Sequence, residues 1–145
     1  MLLRIIFFWT LLLLSCGYAL LRGGKYERSA AVVFLSATLV SVAWHHLFPS
    51  GYRHIILTEV LVDTAVLMSV TAIALMSDRF WPLWVAGLQL VDSTAHFLRA
   101  IYTNLPPWAY AIAERFWSYP ILVILLIGAW RQNRRTQAAR EAPSA

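Results

Sequence analysis

Apolar residues fill this chain in blocks of about twenty, and short runs of polar residues, glycine and proline separate the blocks. A helix of about twenty residues, rising about 1.5 Å per residue, crosses a hydrocarbon core of about 30 Å. The pattern predicts an all-α polytopic membrane bundle of five transmembrane helices. Four lie at about residues 2–21, 29–48, 55–76 and 80–102, and the fifth begins at the proline doublet 106–107 and ends near Trp130.

The segments between the blocks carry residues that end or begin helices. Residues 23–24 are a glycine pair, residues 49–51 are Pro-Ser-Gly, and Ser77 or Asp78 can N-cap the fourth helix. Pro120 lies inside the fifth block, where it removes one backbone hydrogen bond and predicts a kink. Tryptophans near the block ends predict a belt at the membrane interface: Trp44, Trp81, Trp84, Trp108 and Trp130.

The composition leaves no room for a second, water-soluble domain. Hydrophobic residues make up 60% of the 145 residues and charged residues 13%, whereas about a quarter of a soluble domain is charged. We assign residues 1–131 to a five-helix transmembrane domain and residues 132–145 to a basic cytoplasmic tail that is disordered. The single cysteine, Cys16, excludes an internal disulfide and any multi-cysteine metal site.

The basic residues flank the apolar blocks, so the formal charge of +5 indicates contact with anionic lipid headgroups and argues against nucleic-acid binding. Arg4 and Arg53 fall on one side of the predicted membrane. Eight basic residues fall on the other side: Arg22, Lys25, Arg28, Arg79, Arg131, Arg134, Arg135 and Arg140. This bias predicts an N-terminus outside and a C-terminus inside.

A cleaved signal peptide is the alternative interpretation of the first block. Arg4 precedes an apolar run, and residues 13–16 (Leu-Leu-Ser-Cys) are similar to a lipoprotein cleavage site. Cleavage would remove one span and reverse the orientation of the others, which would place the arginine-rich end outside. The distribution of positive charge argues against it.

Ionisable residues lie inside four of the blocks, and such residues are costly in hydrocarbon unless they pair, bind an ion or line a polar cavity. Glu59 and Asp63 are four residues apart, as are Asp92 and His96, so each pair lies on one face of its helix. The predicted topology places the acidic residues and histidines of all four helices in the outer half of the membrane.

Charge balance makes this set of residues a candidate binding site. The predicted spans contain four carboxylates, those of Glu59, Asp63, Asp92 and Glu114. Arg99 and Arg115 offset two of these charges, so a cation, protonated carboxyls or charged histidines must compensate the other two. Carboxylate and imidazole ligands suit Zn²⁺, Mn²⁺ or Fe²⁺, and a proton-sharing network is the alternative. The candidate metal or proton site consists of Asp63, Asp92, His96, Glu114, Glu59 and His45.

These residues also have a purely structural interpretation. Glu59 can extend to water at the end of its span, and His45 and His46 can pack at the interface, where at most one of them faces the bundle. Asp92 and His96 can form hydrogen bonds that only hold helices together.

Residues 79–90 (Arg-Phe-Trp-Pro-Leu-Trp-Val-Ala-Gly-Leu-Gln-Leu), His96 and residues 117–120 (Trp-Ser-Tyr-Pro) resemble a group of uncharacterised, short polytopic membrane proteins of alphaproteobacterial type. The resemblance is closest between residues 79 and 120. It implies a bacterial inner-membrane location and implies nothing about activity, cofactor or catalytic residues.

Enzyme signatures such as HExxH, GxSxG and glycine-rich phosphate loops are absent from the sequence. Two histidines can hold a b-type haem, but carboxylates beside an apolar macrocycle argue against haem. We therefore expect a non-enzymatic membrane protein that holds a divalent cation or protons, as an accessory subunit of a larger membrane complex or in self-association. The alternatives are a metalloenzyme acting on a lipid or periplasmic substrate, and an assembly protein with no bound ion.

Overall fold

The computed structural model describes residues 2–47, 52–101 and 116–141, with the backbone alone at residues 2, 4, 52–56, 99 and 100. This part of the chain is helical apart from short turns and contains no strand, which confirms the predicted all-α class for it. It forms five helices: α1 (Leu2–Arg22), α2 (Lys25–Leu47), α3 (Tyr52–Met76), α4 (Trp81–Ile101) and α5 (Ser118–Glu141).

The five helices contact one another in a ring. α3 packs most extensively against α4, and further contacts join α1 with α2, α2 with α3, α4 with α5, and α5 with α1. α5 runs parallel to α1, because the rings of Phe8 and Tyr119 meet near one end and Asn133 donates a hydrogen bond to the Tyr18 hydroxyl near the other. The two tight connections, α1–α2 and α3–α4, lie at the same end, which we call the basic end because Arg22, Lys25, Arg28 and Arg79 are there.

The interior of the ring is apolar and partly built from small residues. Leu12, Val70, Val85 and Leu125 are each exposed by 2% or less. Small buried side chains allow neighbouring helices to approach closely: Cys16, Ala19, Ala30, Ala31 and Ala129. This packing holds α1 and α5 against α2 and α4.

The outward faces are apolar as well, and large side chains such as Leu39, Leu61 and Met68 lie exposed on them. A hydrocarbon environment covers such side chains without cost. Three helices of the described chain are long and apolar enough to cross a membrane: Ile5–Arg22, Lys25–Leu47 and Leu57–Met76.

The helix limits differ from the predicted ones at several places. α3 begins at Tyr52 instead of residue 55, and α5 begins at Ser118, whereas the predicted start at residues 106–107 lies outside the described residues. α2 begins at Lys25 instead of residue 29, because its first turn is packed into the bundle. α5 continues past Trp130 to Glu141, so residues 132–141 are helical instead of disordered. The glutamine, alanine and arginine residues of this segment are good helix formers.

The predicted kink at Pro120 concerns a helix that would begin before residue 116, outside the described residues. In α5, Pro120 lies in the first turn. A proline there removes no helical hydrogen bond, since the N–H groups of the first turn have no partner within the helix.

Candidate functional site

Three side chains with metal-ligating atoms converge between α3 and α4, in the half of the bundle away from the basic end. One atom each of Asp63, Asp92 and His96 lies within 4.8 Å of the other two. His96 Nε2 is 3.0 Å from Asp63 Oδ2. Asp92 and His96 are each only 6% exposed. The four-residue spacing on α4 turns both toward the neighbouring helix α3, as the sequence predicts.

Glu59 and His45 extend this cluster toward α2. Glu59 lies one turn before Asp63, with one carboxylate oxygen 3.8 Å from His96 Nδ1 and the other 3.6 Å from His45 Nε2. The Glu59 side chain is 17% exposed, so it lies within the cluster and does not extend into water. Three helices thus contribute to one polar centre.

Both histidine rings of the cluster face carboxylate oxygens of α3. His45 Nδ1 lies 2.8 Å from the Ser41 carbonyl oxygen, which only accepts, so Nδ1 carries the hydrogen. His45 Nε2 then faces Glu59. His96 stands between Glu59 and Asp63, with one ring nitrogen toward each carboxylate.

Two further polar residues join the cluster and were not predicted from the sequence. Gln89 Nε2 donates to Asp63 Oδ1 at 3.4 Å, and the Ser93 hydroxyl donates to the Asp63 backbone carbonyl at the same distance. Gln89 is 4% exposed. The signal was present in the sequence, because Gln89, Asp92 and His96 follow the three- and four-residue spacing of one helix face.

The cluster borders a partly enclosed cavity of about 520 Å³. One wall is polar and carries Glu59, Asp63, Asp92 and His96 of α3 and α4, together with His45 and His46 of α2. The facing wall is apolar and carries residues of α1, α2 and α5, among them Phe8, Trp9, Leu12, Phe34, Ile121 and Leu122. At this volume, the cavity is larger than a metal ion and its ligands require. Its lining also combines polar and apolar side chains.

The other predicted site residues lie outside what the structure describes. Glu114 and Arg115 belong to residues 102–115, and the Arg99 side chain is not described. The predicted charge balance therefore stays a prediction. The geometry of the described residues supports Asp63, Asp92, His96, Glu59 and His45 as members of one cluster.

The Asp63–Asp92–His96 group could hold a metal ion. Zn²⁺ and similar ions take imidazole nitrogen and carboxylate oxygen at about 2.0–2.2 Å, which places tetrahedral ligand atoms about 3.4 Å apart. The three ligand atoms lie within 4.8 Å of one another, and His96 Nε2 and Asp63 Oδ2 are 3.0 Å apart, so the group brackets that spacing. Catalytic zinc sites have three protein ligands and a fourth position for water or substrate.

A second buried polar cluster lies at the basic end. Glu27 is fully buried; its Oε1 accepts a hydrogen bond from Trp81 Nε1 at 3.1 Å and lies 3.5 Å from Arg79 Nη1. This carboxylate ties the start of α2 to the α3–α4 connection. The sequence interpretation treated residues 22–28 as a polar turn and did not find the cluster. The sequence signal was the helical spacing of Glu27 with Ala30, Ala31 and Phe34, which places the four residues on one helix face. The structure buries that face.

Comparison of the chain with protein-family models, with curated proteins and with solved structures finds no match. The resemblance to short membrane proteins of alphaproteobacterial type therefore stays a prediction. Any functional conclusion depends on the geometry of the site itself.

Proposed function

We propose that this protein is a multi-pass protein of the bacterial inner membrane with five spans, its N-terminus outside and its C-terminus inside. Three sufficiently long apolar helices, the outward-facing apolar side chains and the ring of five helices support this topology. The concentration of basic residues at one end of the ring supports the orientation, because cytoplasmic loops are enriched in lysine and arginine. These residues would contact anionic lipid headgroups.

Cysteine labelling tests this topology. Cys16 is fully buried and can be replaced by alanine. In that background, we expect Asp78→Cys and Glu141→Cys to react with a membrane-impermeant maleimide only after spheroplasts are permeabilised, and Leu47→Cys to react in intact spheroplasts. Labelling of permeabilised membranes controls for reactivity. Asp78→Cys and Leu47→Cys reacting from the same side would contradict a transmembrane α3.

We further propose that the polar centre holds a divalent transition-metal ion, with Asp63, Asp92 and His96 as ligands. The observation that carries this proposal is the convergence of two carboxylates and an imidazole from α3 and α4 within 4.8 Å. Glu59 and His45 would orient the ligands from the next layer, since one oxygen of Glu59 faces the second nitrogen of His96. In the metal-free protein, protons shared among the carboxylates and histidines would occupy the same centre.

Metal binding by the purified protein tests this proposal. After the chelator-treated protein is reloaded with Zn²⁺, Mn²⁺ or Co²⁺ and unbound metal is removed, we expect about one ion per chain by elemental analysis, a stoichiometry set by the three-ligand group found among the described residues. Asp63→Asn, Asp92→Asn and His96→Gln should each weaken binding by more than about 100-fold, because even outer ligand partners contribute up to about 100-fold.

The matched control is Asp78→Asn, which makes the same chemical change at an exposed position in the α3–α4 connection. It should bind metal as the unmodified protein does. No bound metal in the unmodified protein, or equal affinity in all four variants, would contradict the proposal. That outcome would favour an assembly protein whose polar residues only hold helices together.

A membrane-embedded metalloenzyme is the second candidate function. It is favoured by one observation: the three-ligand group borders a cavity, so a fourth metal position would face space for a substrate. Glu59, adjacent to His96, is then the candidate general base. In the Co²⁺-loaded protein, a change in the absorption spectrum on addition of azide would reveal an exchangeable position, and an unchanged spectrum would argue for a closed, non-catalytic site.

We also propose that the protein is an accessory subunit of a larger membrane assembly or that it self-associates. The size of the chain and the apolar outer surface of the ring are compatible with packing beside further transmembrane helices. Purification from native membranes under mild conditions would identify such subunits.

A further inference from the structure

The cavity beside the polar cluster is much larger than a metal site requires. A water molecule occupies about 30 Å³ in the liquid, so water alone would fill about 520 Å³ with on the order of fifteen molecules. Many of them would lie against aromatic and aliphatic side chains, where water finds no hydrogen-bond partner. The volume falls within the range of about 300–1,000 Å³ typical of small-molecule sites. The cavity is therefore suited to an organic occupant.

The two walls define the chemistry of that occupant. The apolar wall, with Phe8, Phe34 and Leu122 from three different helices, suits a hydrocarbon chain. The polar wall presents carboxylate oxygens of Glu59, Asp63 and Asp92, which accept hydrogen bonds. In the metal-free protein, a head group that donates hydrogen bonds complements these oxygens, whereas an anionic head group is repelled by them.

We propose that this cavity binds a single-chain amphiphile whose head group donates hydrogen bonds, a long-chain alcohol or amine. The head group lies at the Asp63–Asp92–His96 cluster and the chain lies against α1, α2 and α5. A hydroxyl or ammonium group hydrogen-bonds to the carboxylates directly, so this site does not depend on a bound metal. With a metal present, a hydroxyl or amine can also take the open fourth position.

Photolabelling of the chelator-treated, metal-free protein in lipid nanodiscs, which avoid competing detergent, tests the inference. The probe is a long-chain alcohol with a diazirine in the chain, and labelled residues are located by peptide mass spectrometry. We expect labelling of the apolar wall, at residues such as Phe34 or Leu122. Excess unlabelled alcohol or amine of the same length should remove this labelling, and the corresponding alkyl sulfate should not.

A variant that fills the cavity provides the structural test. Ala37 lines the cavity on α2, so Ala37→Trp places an indole ring in it. In this variant, the part of the labelling that excess unlabelled alcohol removes should fall by about tenfold or more. A tenfold fall is equivalent to about 1.4 kcal/mol of binding free energy. Ala72→Trp makes the same change on an exposed face of α3 and should leave labelling intact.

Different measurements separate this inference from the proposed metal function. Ala37→Trp should still bind metal, which also shows that it folds. No bound metal in the unmodified protein, with wall labelling retained, would remove the metal proposal alone. Labelling confined to outward residues such as Leu61 and Met68, or equal competition by the alkyl sulfate, would overturn the amphiphile site while leaving the metal proposal standing.

Discussion

Replacement of Gly23 by alanine is expected to prevent stable folding of the bundle. A Cβ atom at Gly23 would clash with the Ala19 carbonyl oxygen and would lie 2.7 Å from Glu27 Cβ. The same carbonyl accepts a hydrogen bond from the Gly23 amide at 2.9 Å, so it cannot move away without breaking the last turn of α1. Overpacking of this kind costs about 3 kcal/mol when backbone must shift. We expect a large fall in folded yield and in the thermal unfolding midpoint.

Gly17→Ala is the matched control, because Gly17 lies in α1, the helix that Gly23 directly follows, and a Cβ there meets no atom within 4 Å. Alanine in the interior of a helix is more favourable than glycine by about 0.5–1 kcal/mol. The control variant should therefore be as stable as the unmodified protein or slightly more stable. Equal unfolding temperatures for Gly17→Ala and Gly23→Ala would show that the α1–α2 connection has room that the structure does not contain.

The architecture could be predicted from the sequence because hydrophobic blocks and helix-breaking residues are local signals. The end of α3 at Met76 and the approximate limits of α1 and α4 follow from such signals. The start of α2 was predicted too late, since Lys25, Glu27 and Arg28 together are typical of a solvated turn. Only the contact of Glu27 with Trp81, 54 residues away, places that turn inside the bundle.

The candidate site was predictable for a similar reason. Four-residue spacing fixes Glu59 with Asp63, and Asp92 with His96, on one face of each helix. The short α3–α4 connection makes these two helices neighbours, which brings the two faces together. Gln89 was not predicted because the candidate site was assembled from ionisable residues, and the amide of glutamine is uncharged. The cavity could not be predicted, since its apolar wall comes from α1, α2 and α5 and depends on how the ring closes.

Replacement of Arg79 by methionine is expected to destabilise the protein more than replacement of its partner Glu27 by glutamine. Arg79→Met leaves a fully buried carboxylate with the Trp81 N–H as its remaining described donor. Removal of one partner from a buried ion pair costs about 3–5 kcal/mol. The low end of this range applies, because the Arg79 side chain is 27% exposed and water screens part of the interaction. Glu27→Gln should cost less, since Arg79 keeps its access to water and an amide oxygen still accepts from Trp81.

The double variant distinguishes an uncompensated charge from a simple loss of packing. With Arg79 already replaced, Glu27→Gln removes the buried negative charge, so Glu27→Gln/Arg79→Met should be more stable than Arg79→Met alone. If Arg79 acts only by packing, the two changes should instead add, because neither then alters the electrostatic cost of the other. Arg28→Met, at an exposed position on α2, controls for the loss of a surface arginine and should change the unfolding midpoint little. A rescue by Glu27→Gln would establish that the start of α2 is held in the bundle by charge as well as by apolar contact, which accounts for a fully buried glutamate beside the α1–α2 turn.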